Sequence, residues 1–209
     1  MKIFVTSDTH YGHANIIKYC KRPFLKPGDL DANDDWTSRS IARQRANEHD
    51  EVLITNHNAV VSPEDTVYHL GDVVFGRTED AIRIIRRLNG NFKFIRGNHD
   101  RAMDELKSVI GFYPDLKDRV EFLGDYCVLN HDLGEFVMFH YPILVWDKAH
   151  HGAFCLCGHS HGTCPQSNPN TTTSRLLDVG VDTHNFTPWS LSQIETLLSA
   201  KAYKSFDHH

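Results

Sequence analysis

Short apolar runs recur along the chain, and each ends in a knot of polar residues. Lys2–Ser7, Thr66–Leu70, Asn91–Arg96, Glu135–Phe139 and Ala153–Cys157 have the length and composition of buried strands. Between the second and third, Ala81, Ile84, Ile85 and Leu88 fall at i, i+3, i+4 and i+7. That spacing predicts one face of a helix, stopped by Asn89-Gly90. Met103, Leu106 and Ile110 predict a second, shorter helix. Residues 13–61 form a long excursion, with a Pro/Gly/Asp-rich loop over Arg22–Asp35 and a polar, helix-compatible stretch from Trp36 to Asn58.

From Val120 onward the pattern turns to short strands: Glu121–Leu123, Tyr126–Leu129, Glu135–Phe139, Phe154–Cys157 and Leu176–Val179. Cys164–Arg175, rich in Pro, Asn, Ser and Thr, reads as a surface loop. A last helix is expected from Ser190, whose capping box with Gln193 precedes Leu191, Ile194, Leu197 and Leu198. A β-α-β first half followed by a β-rich second half predicts an α/β fold. Two sheets would pack together with helices outside, in one domain over residues 1–209 that includes the 13–61 excursion.

Composition narrows the class. At 209 residues, a single domain buries roughly two-thirds of the surface its unfolded chain exposes. The net charge of −5, with both signs interspersed, shows no basic stripe for a nucleic-acid duplex. No apolar stretch approaches the ~18–20 residues of a membrane span, so a cytoplasmic protein without membrane partners is expected. The five cysteines have no disulfide spacing, and Cys155 and Cys157 alternate with Phe154 and Leu156 as buried thiols would. There are 15 histidines, an unusual number; the terminal His208 and His209 carry no weight.

What makes the histidines informative is where they fall. The strand-like runs end in Asp8-Thr9-His10, Gly71-Asp72, Gly97-Asn98-His99-Asp100, His140-Tyr141-Pro142 and Gly158-His159-Ser160-His161. Carboxyl ends of strands in an α/β sheet share one edge, so these distant clusters can meet there. Asp8 and His10, two apart in an extended segment, point to one side and can grip one ion. His159 and His161 have the same spacing and can reach two neighbouring ions. Asp72 has two oxygens and can bridge, Asn98 offers an uncharged oxygen, and His140 completes the set.

Seven N/O donors without thiolate suit Mn²⁺ first, with Fe, Zn²⁺ or Ni²⁺ compatible. Two divalent cations against two carboxylates leave positive charge that attracts phosphate. Metals ~3.5–4 Å apart lower the pKa of a bridging water, which as hydroxide attacks phosphorus. His99, beside Asn98 and not needed as a ligand, is the expected proton donor to the leaving oxygen. The expected partner is a small phosphate ester, with a nucleotide or short nucleic-acid end as candidates.

The ordered set Asp8-x-His10, Gly71-Asp72, Gly97-Asn98-His99-Asp100, His140 and Gly158-His159-x-His161 resembles the calcineurin-like metallophosphoesterase superfamily. The flanking Ser7–Ile17, Tyr68–Gly76 and Asp178–Asp182 are similar to its small bacterial and phage members. The resemblance implies a four-layer αββα sandwich with two mixed β-sheets. It implies one metal on Asp8, His10 and His161, a second on Asn98, His140 and His159, Asp72 between them, and His99 as acid. Protein phosphatases of this superfamily carry Gly-Asp-x-x-Asp-Arg, whereas Phe75 and Gly76 stand at the last two positions here. Arg77 is the candidate replacement for that Arg, and Asp100 the candidate to orient His99. The departure favours a phosphodiesterase over a nucleotide or protein phosphatase or a nuclease; a catalytically silent scaffold is the non-enzyme alternative.

Weaker candidates complete the reading. His13 and Asn15 leave the first cluster and are candidates for substrate contact or helix capping. Lys148, His150 and His151 lie between two donor clusters and are candidates for phosphate contact. Asp182, His184 and Asn185 either close the site or turn the chain.

Overall fold

The computed structural model describes residues 1–171 and 174–203. Residues 172 and 173 of the expected surface loop, and the terminal His208 and His209, lie outside the described residues. The first sheet holds β1 (Ile3–Thr6), β2 (Thr66–His69), β3 (Asn91–Ile95), β4 (Val120–Gly124) and the two-residue β9 (Trp189–Ser190), in the order β4-β3-β2-β1-β9. Its first four strands are parallel and β9 is antiparallel. The second sheet orders β5 (Tyr126–His131), β6 (Gly134–Phe139), β7 (Phe154–Cys157) and β8 (Leu176–Asp178), with β5 antiparallel and the rest parallel. Both sheets are mixed, as the resemblance implies.

Parallel neighbours need a crossover, and the connections supply helices. Between β1 and β2 run α1 (Ala14–Tyr19) and α2 (Arg39–Val60); between β2 and β3, α3 (Thr78–Arg87); between β3 and β4, α4 (Arg101–Val109) and α5 (Pro114–Lys117). The period-2 alternation of the strands sorts side chains into layers. Phe4, Val67, Phe92 and Phe94 face Leu53, Ile84, Ile85 and Leu106 of the helices. Val5, Tyr68, Leu70 and Ile95 face Phe136, Met138, Phe154 and Leu156 of the second sheet. Val137, Cys155 and Cys157 point outward and are covered by Trp146 and Ala149, so both thiols are buried and free.

Most expected elements form near their expected bounds. The excursion helix starts at Arg39, because the Ser38 side chain accepts the Ile41 N–H as N-cap. The last helix, α6 (Leu191–Ser199), carries the Ser190–Gln193 capping box. The sequence reading missed α1, α5 and β9, each too short for a periodicity to show. No helix among the described residues is long and apolar enough to cross a membrane.

Candidate metal centre

The carboxyl ends of β1, β2, β3, β6 and β7 meet on one rim, and every donor cluster sits just past one of these ends. Parallel bridges tie the rim together: Ser7 to Gly180 joins the sheets, and Tyr11 to Val74 joins the first two turns. Glycines allow the approach. A Cβ at Gly97 would strike the backbone and carboxylate of Asp72, and one at Gly158 would strike Ser7 and Asp8. Five of the donors take the left-handed backbone: Asp8 (φ 56°), His10 (50°), Asp72 (57°), His159 (66°) and His161 (47°). For residues with a Cβ this costs of order 1 kcal/mol or more each, and such strain concentrates at functional sites.

The seven expected donors converge. Asp8, His10 and His161 place donor atoms within 4.8 Å of one another, and so do Asp8, Asp72 and His140. Asp72 Oδ2 lies 3.6 Å from His10 Nε2 and 3.6 Å from His140 Nε2. Asn98 Oδ1 is 3.0 Å from His140 Nε2 and 3.0 Å from His159 Nδ1. Asp8 accepts the His159 N–H at 2.9 Å, linking the first cluster to the last.

Hydrogen-bond accounting indicates what belongs among them. His140 Nδ1 donates to the Leu70 carbonyl at 2.7 Å, so in the neutral ring Nε2 carries a lone pair. That lone pair faces two more acceptors, Asn98 Oδ1 and Asp72 Oδ2, with no proton to share. His10 Nε2 is buried and has no hydrogen-bond partner. Converging lone pairs in a buried place are unfavourable unless a cation occupies the centre. Burial pushes the Asp8 carboxyl up to about 8, with His161 opposing, and pushes His10 well below the usual imidazole range. A divalent cation reverses the cost for Asp8 and uses the neutral form of His10.

Behind the first cluster lies a buried guanidinium. Arg22 is 2% exposed, and all five of its N–H donors are used. Nε and Nη2 clamp Asp182 at 2.8 and 2.7 Å; Nη2 also reaches the Asp8 carbonyl, and Nη1 reaches the Thr9 carbonyl and His49 Nε2. Asp182 in turn accepts from His161 Nδ1 at 2.8 Å, which fixes the ring and leaves Nε2 as its donor atom. Burial opposes the charge on Asp182, yet its hydrogen bonds from His161 and Arg22 hold it below the usual carboxylate range. Burial likewise opposes protonation of His161, but Asp182, Cys20 and Asp8 raise it to about 10. Cys20, His161 and Asp182 also lie within 4.8 Å of one another. The sequence reading missed Arg22 altogether and left Asp182 between two roles; it closes the site, while His184 stacks on Trp189 at 3.7 Å and turns the chain.

His99 stands at the open side. Its ring centroid is 5.9 Å from that of His10 and 6.3 Å from that of Phe75, and its backbone N–H donates to Asp72 Oδ1 at 2.8 Å. Asp100 is a correction: its carboxylate does not orient His99. It accepts the N–H groups of Asp72 (2.9 Å), Val73 (2.8 Å) and Gly97 (2.7 Å), locking two turns together. His13 does reach the rim: its ring is 5.5 Å from His10 and stacks on Phe75 at 3.9 Å, with no side-chain cap bond to α1. Asn15 Oδ1 accepts Trp36 Nε1 at 2.8 Å, tying the start of α1 to the loop before α2. Arg77 is exposed at the start of α3, in a cleft beside the cluster.

Lys148 and His151 are corrected outright. Lys148 pairs with Glu135 at 2.8 Å, next to the start of β6, and His151 lies in the turn leading into the start of β7. Both sit at the edge of the second sheet opposite the donors.

Comparison with known proteins agrees with this geometry. Residues 1–180 match the model of the calcineurin-like phosphoesterase superfamily domain. An uncharacterized protein of Methanocaldococcus jannaschii is 30% identical over 200 residues, covering 94% of this chain and 91% of that protein. The crystal structure of a protein of unknown function from Aquifex aeolicus superposes with a TM-score of 0.61 at 22% identity, covering 94% of this chain and 98% of the other. A phosphopantetheinyl hydrolase from Mycobacterium tuberculosis aligns with a TM-score of only 0.31 at 16% identity, over 71% of this chain and 48% of its own.

Proposed function

Since the chain belongs to the calcineurin-like phosphoesterase superfamily, we propose that it is a dinuclear-metal phosphodiesterase with His99 as proton donor. One observation carries the reading: Asp72 Oδ2 stands 3.6 Å from a histidine nitrogen on either side, the place of a shared ligand. Asp8, His10 and His161 would hold one cation, and Asn98, His140 and His159 the other, with Mn²⁺ best suited to the donor set. When bound, the pair supplies Lewis acidity toward the phosphoryl oxygens and a water of lowered pKa.

The chain's own residues set the rest. Asp182 and Arg22 keep His161 in one tautomer, the Leu70 carbonyl does the same for His140, and Asp100 locks the turns that carry Asp72 and Asn98. His99 projects from the same turn on the solvent side, where a leaving oxygen departs and needs a proton. Arg22, the guanidinium beside the cluster, spends all its donors on protein acceptors and has none for a phosphate. Phe75, stacked on His13, stands where the protein phosphatases place a carboxylate. The lack of a free guanidinium on Arg22 suits a singly charged diester better than a doubly charged monoester.

With Mn²⁺, bis-p-nitrophenyl phosphate should be hydrolysed faster than p-nitrophenyl phosphate, and a chelator should abolish the activity. A reversed preference overturns the diesterase assignment, and chelator resistance overturns the metal reading. His99→Ala should lower turnover of a diester with a poor leaving group by roughly 10²–10⁴-fold with metal content unchanged. Retained turnover on that substrate would remove His99 from its role.

A further inference from the structure

A cleft of about 1150 Å³ opens beside the donor cluster, between the start of α1, the middle of α2 and the start of α3. Its floor is Tyr11-Gly12 and Val74-Phe75, the two segments bridged at the rim. Three arginines line it, Arg43, Arg77 and Arg83, with three acids, Asp50, Glu51 and Asp80.

The acids are already engaged. Asp50 accepts the Gly12 N–H at 3.0 Å and pairs with His49 Nδ1 at 3.0 Å. Asp80 takes Arg83 at 3.0 Å and the Arg77 N–H at 3.1 Å, and Glu51 pairs with Arg87 at 2.6 Å. Arg43 and Arg77 are exposed, and neither has an ion-pair partner among the described residues. Neither guanidinium is held by an ion pair, so each can turn toward a phosphate in the cleft, which a guanidinium binds in bidentate fashion.

The wall between this cleft and the metal donors is aromatic. Phe75 lines the cleft, stacks one face on His13 and keeps 48% of its surface exposed. His13 in turn lies 5.5 Å from His10. An extended ligand with one phosphate at the donor cluster would pass over Phe75 before reaching the arginines. Exposed rings stack any nucleobase, because every base presents a π-face. A cleft bounded by helices, in a chain of net charge −5, suits a short anion and not a duplex.

We propose that this cleft binds the part of a nucleotide that is not cleaved: a base against Phe75, and further phosphate on Arg43 and Arg77. The shared chemistry is a planar base with more than one phosphate, as in a nucleoside polyphosphate or a short oligonucleotide end. The proposal rests on the phosphoesterase reading for the fate of the scissile phosphate, and not for binding.

Calorimetric titration of the full, Mn²⁺-loaded chain tests it, using AMP, the α,β-methylene analogue of ATP, and a phosphorothioate-linked trinucleotide. The ATP analogue or the trinucleotide should bind at least about tenfold tighter than AMP, the scale of charged hydrogen bonds to added phosphate. Whichever binds tighter identifies the source, and the advantage should shrink as salt rises. Arg43→Ala with Arg77→Ala should erase the advantage, and Phe75→Ala should weaken all three ligands severalfold. Both arginines are exposed, and an unchanged Tm verifies that the double variant folds.

Equal affinity for AMP and both longer ligands overturns the proposal, as does an advantage that survives in the double arginine variant. If bis-p-nitrophenyl phosphate is hydrolysed but no advantage exists, the cleft assignment fails alone. If the advantage exists and no diester is hydrolysed with any metal, the phosphoesterase reading fails alone.

Discussion

Asp8 and His10 are almost wholly buried and His161 half-buried, whereas across the shared Asp72 Asn98 and His159 face solvent and only His140 is buried. The two halves of one donor cluster are therefore supported differently. On the buried side no water can satisfy the donors, so protein groups hold every neighbour in place. Arg22 grips the Asp8 and Thr9 carbonyls and Asp182, and Asp182 grips His161. On the open side one hydrogen bond to the Leu70 carbonyl fixes His140, and Asn98 and His159 are adjusted by each other and by solvent. A cation on the buried side should exchange slowly and depend on the second layer. One on the open side should exchange readily, as suits the side a substrate approaches.

Removing the shared ligand should abolish the difference between the halves. Asp72→Asn takes charge from both sites at once, so occupancy should fall below two ions per chain and diester turnover by about 10³-fold or more, of the order of removing one strong electrostatic contact in a catalytic site. Full occupancy by elemental analysis in an inactive variant would contradict the shared position of Asp72.

Next in size is a change behind the buried half alone. Asp182→Asn keeps the volume but weakens the hold on His161 and leaves Arg22 short of a carboxylate. In a two-site titration one cation should bind about 10–100-fold more weakly, the usual cost of an outer-layer partner, with the other unchanged. Equal weakening of both sites would show that the halves are not separately supported. Asn98→Ala addresses the open half. It removes a neutral, exposed donor while His140, His159 and Asp72 remain, so one site should weaken by about tenfold or less with no change in Tm. A loss of Tm there, or a weakened buried site, would undo the contrast.

The same contrast separates what sequence could tell from what it could not. Strands and donors were legible because both are local: a short apolar run, then a knot of Asp, Asn or His, in three of five cases beside Gly. Arg22 was not legible. Its meaning depends on Asp182, 160 positions away, and nothing near Arg22 marks it as buried. Lys148 and His151 misled for a topological reason. Because β6 and β7 are parallel, the chain between them must cross the whole sheet, and its last residues land on the far edge. Asp100 misled because adjacency to His99 in sequence places its side chain on the opposite side of the turn, against backbone N–H groups. His57 and His69 add to the count of histidines yet are structural, bonded to the Asn89 carbonyl and to Thr9.

Those two structural histidines allow the burial cost of the donor half to be read separately. Burial holds His57 at about 4 and His69 at about 3, so below pH 6.5 the unfolded chain takes up protons that the native state does not. Their stabilisation is present above pH 6.5 and fades as pH falls toward 4. Asp8 works in the other direction. With its carboxyl raised to about 8, the metal-free native state binds the extra proton, and stability falls as pH climbs from about 4 to about 8. His161, raised to about 10, adds a second such proton above pH 6.5, so metal-free protein should be most stable near pH 6.5 and lose roughly 2 kcal/mol per pH unit above it. Mn²⁺ should remove that alkaline loss and Asp8→Asn should reduce it to the His161 share, while the acid loss remains in every case. Urea midpoints at pH 5, 6.5 and 8, with and without metal, measure it. An alkaline loss undiminished in Asp8→Asn would move the cost away from Asp8 and leave the two halves equally expensive to bury.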